Sequence, residues 1–376
     1  MKFLAKNTFA LFACASLLFS SCEKNEETPT TTVDDNGYSI PTTYSFSRNG
    51  ATTVDFSGQT TRLDMLDELS DYLNQGNSGV TLSSTVMLNM FRNENSPFAE
   101  ASLNTSTKNI ASKTFNTDVA VFEQYFLNAA AASISANDTA SNGQAGIAYN
   151  ADLSKKYLVD ANGVEWRQVI LKHLMGALMY YQATTVYLGE DKIGSTVNNT
   201  DIVDGKNYTT MEHHFDEAFG YFGVSVDFPT VTTGARYYGN YANKRNAVLG
   251  SNAKLMNAFL QGRAAIANSD MAAKESAIAT IKTEWELVIA GSAIHYLNEA
   301  VANFGDDAIR SHVLSECLGF VKSLKYNIDK TISDTDIANV ETKIGTNFYN
   351  VTIADLNNAK ATLVTAFGLT AEADQL

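Results

Sequence analysis

Residues 270–303 read DMAAKESAIATIKTEWELVIAGSAIHYLNEAVAN, a stretch without proline and with a single internal glycine, Gly291. Ile278, Ile281, Trp285 and Val288 recur at the three- and four-residue steps of one helix face. That spacing predicts a long helix with one apolar stripe facing a core. The same stripe then continues as Ser292, His295 and Glu299. His295 and Glu299 stand four residues apart and share a face. A buried stripe that turns polar needs hydrogen-bonded partners or a ligand, because an unpaired buried polar group costs about 1–3 kcal/mol. The competing reading is that the helix leaves the core or breaks at Gly291, so that these residues face water.

The rest of the chain extends the helical pattern. Only four prolines occur in 376 residues, none after Pro229, which leaves long stretches free of the strongest helix breaker. Periodicity predicts helices over about 61–75, 82–93, 116–134, 165–189, 209–223, 243–268, 270–303, 306–324 and 352–367. Thr209 and Glu212 form a T-x-x-E capping box, Ser269 stands before the run from Met271, and Asp306 stands before Ile309–Leu324. Two Asn-Gly pairs predict hairpin turns. Asn49-Gly50 lies between Tyr44–Phe46 and Val54–Phe56, and Asn162-Gly163 between Tyr157–Val159 and Val164–Trp166. The fold class is therefore mainly α. It is a helical bundle assembly over residues 41–376, as one bundle or two closely packed ones, with one or two small β-hairpins.

The N-terminus reads as a leader. Lys2 and Lys6 precede an apolar run from Phe9 to Phe19, too short to span a bilayer. The run ends in Phe19-Ser20-Ser21-Cys22, which resembles a lipobox. Residues 1–21 are then a lipoprotein signal peptide, Cys22 the lipidated residue, and 22–40 a flexible tether. Glu23-Lys24-Asn25-Glu26-Glu27 resembles a surface-export signal, so the cell surface and the periplasmic side are both open locations for an outer-membrane lipoprotein. Loss of Lys2 and Lys6 would leave 25 basic against 41 acidic residues, a net charge of −16. So acidic a chain does not suit a nucleic-acid partner, since phosphate binding rests on Lys and Arg. Three cysteines exclude a disulfide framework.

All five histidines fall on predicted helices. His312 and Glu316 repeat the four-residue spacing beside an apolar stripe of Ile309, Val313, Cys317 and Phe320. His214 and Glu217 edge the apolar face of Met211, Phe215, Ala218 and Phe222. His173 sits amid apolar neighbours and reads as a core histidine, and Cys317 as a small buried hydrophobe. Imidazole and carboxylate together suit iron or zinc. Three helices each offer one such pair, so His214, Glu217, His295, Glu299, His312 and Glu316 form a candidate metal set. The zinc-protease pattern H-E-x-x-H, the nucleophile elbow G-x-S-x-G and the phosphate loop G-x-x-x-x-G-K-[ST] are all absent.

Several stretches carry a resemblance to a family of Bacteroidota-type lipoproteins known only as a domain of unknown function. They include Asp55-Phe56-Ser57-Gly58-Gln59-Thr60-Thr61-Arg62-Leu63-Asp64, Tyr157-Leu158-Val159-Asp160, Met211-Glu212-His213-His214 and Ala293-Ile294-His295-Tyr296-Leu297. The resemblance covers about residues 40–370 and implies no activity. More distantly, His214 and Glu217 followed by Phe219-Gly220-Tyr221-Phe222-Gly223 are similar to the G-x-H-x-x-E segment of imelysin-like proteins, with Glu212 where that family has glycine. That resemblance implies a helical envelope protein tied to iron uptake, or a peptidase. The leading expectation is a lipid-anchored, non-enzymatic envelope protein that binds a transition metal or iron-bearing species. Two alternatives stand beside it. One is an imelysin-like metallopeptidase with Glu217 as general base. The other is a surface module binding glycans or proteins through Tyr237, Tyr238 and Tyr241 with Arg236 and Arg245.

Overall fold

A computed structural model describes residues 32–33 and 37–376. The leader and Cys22 lie outside the described residues. Short two-stranded antiparallel pairs open the chain: β1 (Thr32–Val33) with β2 (Ser39–Ile40), and β3 (Ser47–Arg48) with β4 (Ala51–Thr52). The second is the predicted Asn49-Gly50 hairpin. Both turn residues take positive φ, 54° and 77°, as a tight two-residue turn demands.

Helices follow: α1 (Ser57–Asn74), α2 (Ser84–Arg92), the short α3 (Ala101–Thr105) and α4 (Val119–Ser133). A third pair, β5 (Gly146–Tyr149) with β6 (Lys156–Val159), interrupts them. The chain then runs through α5 (Trp166–Leu174), continued by a π-helical stretch Met175–Tyr187, and the short α6 (Glu190–Ile193). The last seven helices are α7 (Thr210–Phe222), α8 (Tyr237–Leu249), α9 (Ser251–Ala267), α10 (Met271–Ala302), α11 (Asp307–Ser323), α12 (Asp334–Ile344) and α13 (Ile353–Phe367). Among the described residues no helix is long and apolar enough to cross a membrane.

Two sequence expectations are corrected. Asn162-Gly163 is a turn, but not of a hairpin. Asp160 Oδ1 accepts the backbone N–H of Asn162 and of Val164, so those donors are engaged locally, and the chain enters α5. Lys156–Val159 pairs upstream instead, with Gly146–Tyr149. The single helix expected over 243–268 is two helices. Gly250, at φ 65°, takes the left-handed conformation that glycine accommodates without a Cβ clash, and breaks the run between α8 and α9.

Helix α10 is the spine. At 32 residues it is about 48 Å long, from the α-helical rise per residue. It packs against α8, α9, α11 and α13. Its N-cap is Asp270, whose side chain accepts from Ala273 N at 3.0 Å, one residue beyond the expected Ser269. The predicted stripe is buried, with Trp285 fully enclosed by Tyr180, Phe222, Tyr238 and Phe259. The helix does not break at Gly291. A Cβ there would come within 3.0 Å of Leu249, so the glycine admits the end of α8. One continuous apolar core reaches from Ile40 to Leu376.

The N-terminal hairpin is locked on by buried charge. Arg263 of α9 is wholly enclosed and donates to Asp216 Oδ1, Glu212 Oε1 and Thr53 Oγ1, each at 2.9 Å. Arg48 of β3 donates to both Glu212 oxygens, and the Tyr44 hydroxyl to Asp216 Oδ1 at 2.9 Å. Glu212 also accepts from Thr209 N, closing the predicted capping box. Removing one partner of such a network strands a buried charge. Arg263→Ala should therefore lose about 3–5 kcal/mol of stability, read as the urea unfolding midpoint and slope against the parent chain.

Candidate functional site

The polar half of the α10 stripe faces a cleft of about 880 Å³. Its floor is α10 and α11 side by side, carrying His295, Tyr296 and Glu299 on one helix and His312 and Glu316 on the other. One wall is the β5–β6 turn and the start of β6, where Tyr157 stacks on His312 with ring centres 4.2 Å apart. The other wall is α8, with Lys244 and Arg245. Asp306 sets the geometry. It caps α11 by accepting from Ala308 N and Ile309 N, and its second oxygen accepts from Ala151 N of the β5–β6 turn.

Beneath the floor runs a chain of polar contacts. The His312 Nδ1–H donates to Glu165 Oε2 at 2.6 Å, and the Glu165 carboxylate is buried. His312 Nε2 lies 3.9 Å from Glu316 Oε1. Glu316 Oε1 is held by Lys172 Nζ at 3.2 Å. Tyr296 and Tyr241 share a hydroxyl–hydroxyl bond of 3.2 Å. Lys172 and Lys244 both lie over the Tyr241 ring, at 5.4 and 5.1 Å.

The pKa values of the two imidazoles in the cleft are shifted in opposite directions. For His312, burial alone would pull the pKa down, but Glu165 by charge and hydrogen bond, and then Glu316, lift it above its ordinary value. For His295, burial and the Arg245 guanidinium hold the imidazole below its ordinary value, against the pull of Glu299. Glu316 titrates low. Burial opposes this, but Lys172 and His312 prevail.

Of the six residues expected to gather, His295, Glu299, His312 and Glu316 line this cleft, and His214 and Glu217 do not. The His214 Nδ1–H donates to the Lys192 carbonyl at 2.6 Å. Glu217 accepts from Gln59 Nε2 at 3.0 Å, and the His213 imidazole lies 3.9 Å from it. The six therefore do not form one ligand shell. Among the described residues no group of three or more His, Cys, Asp or Glu is arranged to hold a metal ion. The aromatic set expected for glycans is also corrected. Tyr238 and Tyr241 are buried, and the Tyr237 hydroxyl donates to Asp67 at 2.7 Å. His173 is a core residue bonded to the Tyr326 hydroxyl at 2.7 Å, and burial pushes the Cys317 thiol pKa up.

A family model described as Domain of unknown function (DUF4856) matches residues 41–370. The chain belongs to that family. No curated protein and no solved structure matches it. The DUF4856 match spans α8, α10, α11 and the β5–β6 turn, so every wall of the cleft lies within the family domain.

Sequence reading missed Glu165, Lys172, Lys244 and Tyr157 as parts of this site. Tyr157 and Lys244 line the cleft, and Glu165 and Lys172 bond to its His312 and Glu316, from elements apart in sequence from α10 and α11, and no local spacing marks them. The Glu165–His312 contact carries a pH signature. Because the folded-state pKa of His312 is raised, its stabilisation is complete below about pH 6.5, the ordinary imidazole value, and is lost as pH rises through the folded value. Glu165→Gln should lower the His312 titration midpoint, followed by NMR of the ring protons. It should also shrink the stability difference between acidic and alkaline buffers, read by urea unfolding.

Proposed function

We propose that this DUF4856 chain is a lipid-anchored protein of the outer membrane, tethered through Cys22. Its helical domain binds a ligand in the cleft between α8, α10 and α11 and carries out no reaction on it. The observation that supports this is the convergence of two separate His/Glu pairs, His295 with Glu299 and His312 with Glu316, on one polar cleft of about 880 Å³. Two amphipathic helices have turned polar at the same place, where both meet Lys244 and Arg245 of α8.

The ligand we favour is a transition metal, iron before zinc, that arrives with donors of its own. A bare ion needs three or more protein donors at about 2 Å. Here Lys172 holds Glu316, and Glu165 lifts His312 toward the imidazolium form. The depressed pKa of His295 favours the neutral imidazole, which is the form that ligates. A chelated metal would place one coordination position on His295 and leave its other donors within the cleft volume.

Incubation of the full chain with ferric citrate, followed by gel filtration and elemental analysis, should retain iron in equimolar amount. His295→Ala should lose it and His214→Ala should keep it. No iron above buffer, or equal retention in His295→Ala, would remove the metal from this reading. In cells, Cys22→Ser should move the chain from the membrane to the soluble fraction. Continued membrane retention would remove the anchor.

A further inference from the structure

The charges facing the cleft divide into those already engaged and those that are not. Asp306 accepts from three backbone N–H groups. Asp152, on the β5–β6 turn, accepts from Asn150 and Ser154. Glu316 is held by Lys172, and Glu299 lies 3.7 Å from His295. The cations of α8 are different. Neither Lys244 nor Arg245 is ion-paired with a carboxylate among the described residues. The Arg245 Nε–H is shielded from solvent and has no hydrogen-bond acceptor. Arg245 is half-buried, and desolvation lowers the pKa of its guanidinium and of the Lys244 ammonium. In a chain of net charge −14, Glu316 and Glu299 act across the cleft on Lys244, and Glu299 on Arg245, but neither cation has a direct carboxylate partner and the Arg245 Nε–H is left without an acceptor. Opposite them on α11, the His312 ring is fixed in orientation by Glu165.

We infer that the cleft is an anion site, and that its ligand is a small polyanion bearing carboxylate or phosphate groups seated between Arg245, Lys244 and His312. The Arg245 fork suits the paired oxygens of either group. Lys244, the more exposed of the two, supplies a point charge at the mouth. The inference deepens the ligand-binding reading above and rests on the same cleft, but it does not need the metal.

The test is isothermal titration calorimetry of the metal-stripped full chain, with metal-free citrate and with inorganic phosphate as separate arms. At least one should bind, and the arm that binds tells the carboxylate source from the phosphate source. Affinity should fall about tenfold or more in Arg245→Gln, as for a lost charge-assisted contact, and should also fall with added salt. The exposed Lys244→Gln should weaken binding in a chain whose circular dichroism is unchanged, which guards against misfolding in the arginine variant. Lys254→Gln on α9, whose partner is Glu284, should leave affinity unaltered. Binding of neither anion, or equal affinity in the Lys244→Gln/Arg245→Gln chain, would overturn the inference. So would preference for the diamine putrescine. Iron retention from ferric citrate without binding of either metal-free anion would sink this inference alone. Anion binding without iron retention would sink only the metal reading.

Discussion

The structure turns on the single stripe of α10. Its N-terminal half, Ile278 to Val288, can be buried by apolar neighbours alone, and α9 and the aromatic ring set around Trp285 do so. The C-terminal half lies on the same side of the same unbroken helix, so it cannot turn to solvent without pulling the first half out of the core. Ser292 satisfies its hydroxyl within the helix, on the Val288 carbonyl at 2.8 Å. His295 and Glu299 are too long for that solution. The neighbouring elements therefore leave them a space, and the cleft opens above α10 and α11, between α8 and the β5–β6 turn. The cleft is a consequence of keeping one helix unbroken through Gly291.

Buried charge is handled in two ways in this fold, and the contrast separates scaffold from site. Around Arg263 every strong donor has an acceptor. Glu212 and Asp216 are shared among Arg263, Arg48, Tyr44, Thr209 N and Asp55 N. A saturated network of that kind fixes the N-terminal hairpin on α7 and α9 and has no capacity left for a ligand. In the cleft Asp306 and Glu316 are engaged, while Arg245 Nε–H has no acceptor. The same residue types thus hold structure in one place and offer binding capacity in the other. What differs is whether the partners were supplied by the chain.

Much of the helical frame was legible because it is local. The capping box at Thr209, the cap at Asp306, the Asn49-Gly50 turn and the stripes of α10 and α11 each depend on residues within a few positions of one another. The errors arose where two local signals competed. At Asn162-Gly163 the turn was read correctly but its partner strand was not, because Asp160 captures the N–H groups that a ladder would have used. At Gly250 a helical pattern continued on both sides of a left-handed residue. Helix α12 (Asp334–Ile344) buries only Ile337, Val340 and Ile344, a stripe too sparse to be read as periodic. The site was half legible for the same reason. The pairs His295/Glu299 and His312/Glu316 are each local to one helix, whereas Arg245, Lys172 and Glu165 meet them only through tertiary packing.

Those two pairs show where sequence pattern stops determining chemistry. Each is a histidine followed four residues later by a glutamate, and in each the imidazole stands within ion-pair distance of its own glutamate, 3.7 Å in one and 3.9 Å in the other. From spacing alone they are the same motif. Their third neighbours make them opposites. His312 meets the Glu165 carboxylate, delivered by the entry to α5, and takes on positive character. His295 meets the Arg245 guanidinium, delivered by α8, and is pushed toward the neutral form. One cleft thereby holds two imidazoles whose pKa values are pushed in opposite directions on adjacent helices, a division that a symmetric pair of sites would lack. Whatever occupies the cleft meets two histidines that the fold, not the motif, has made different.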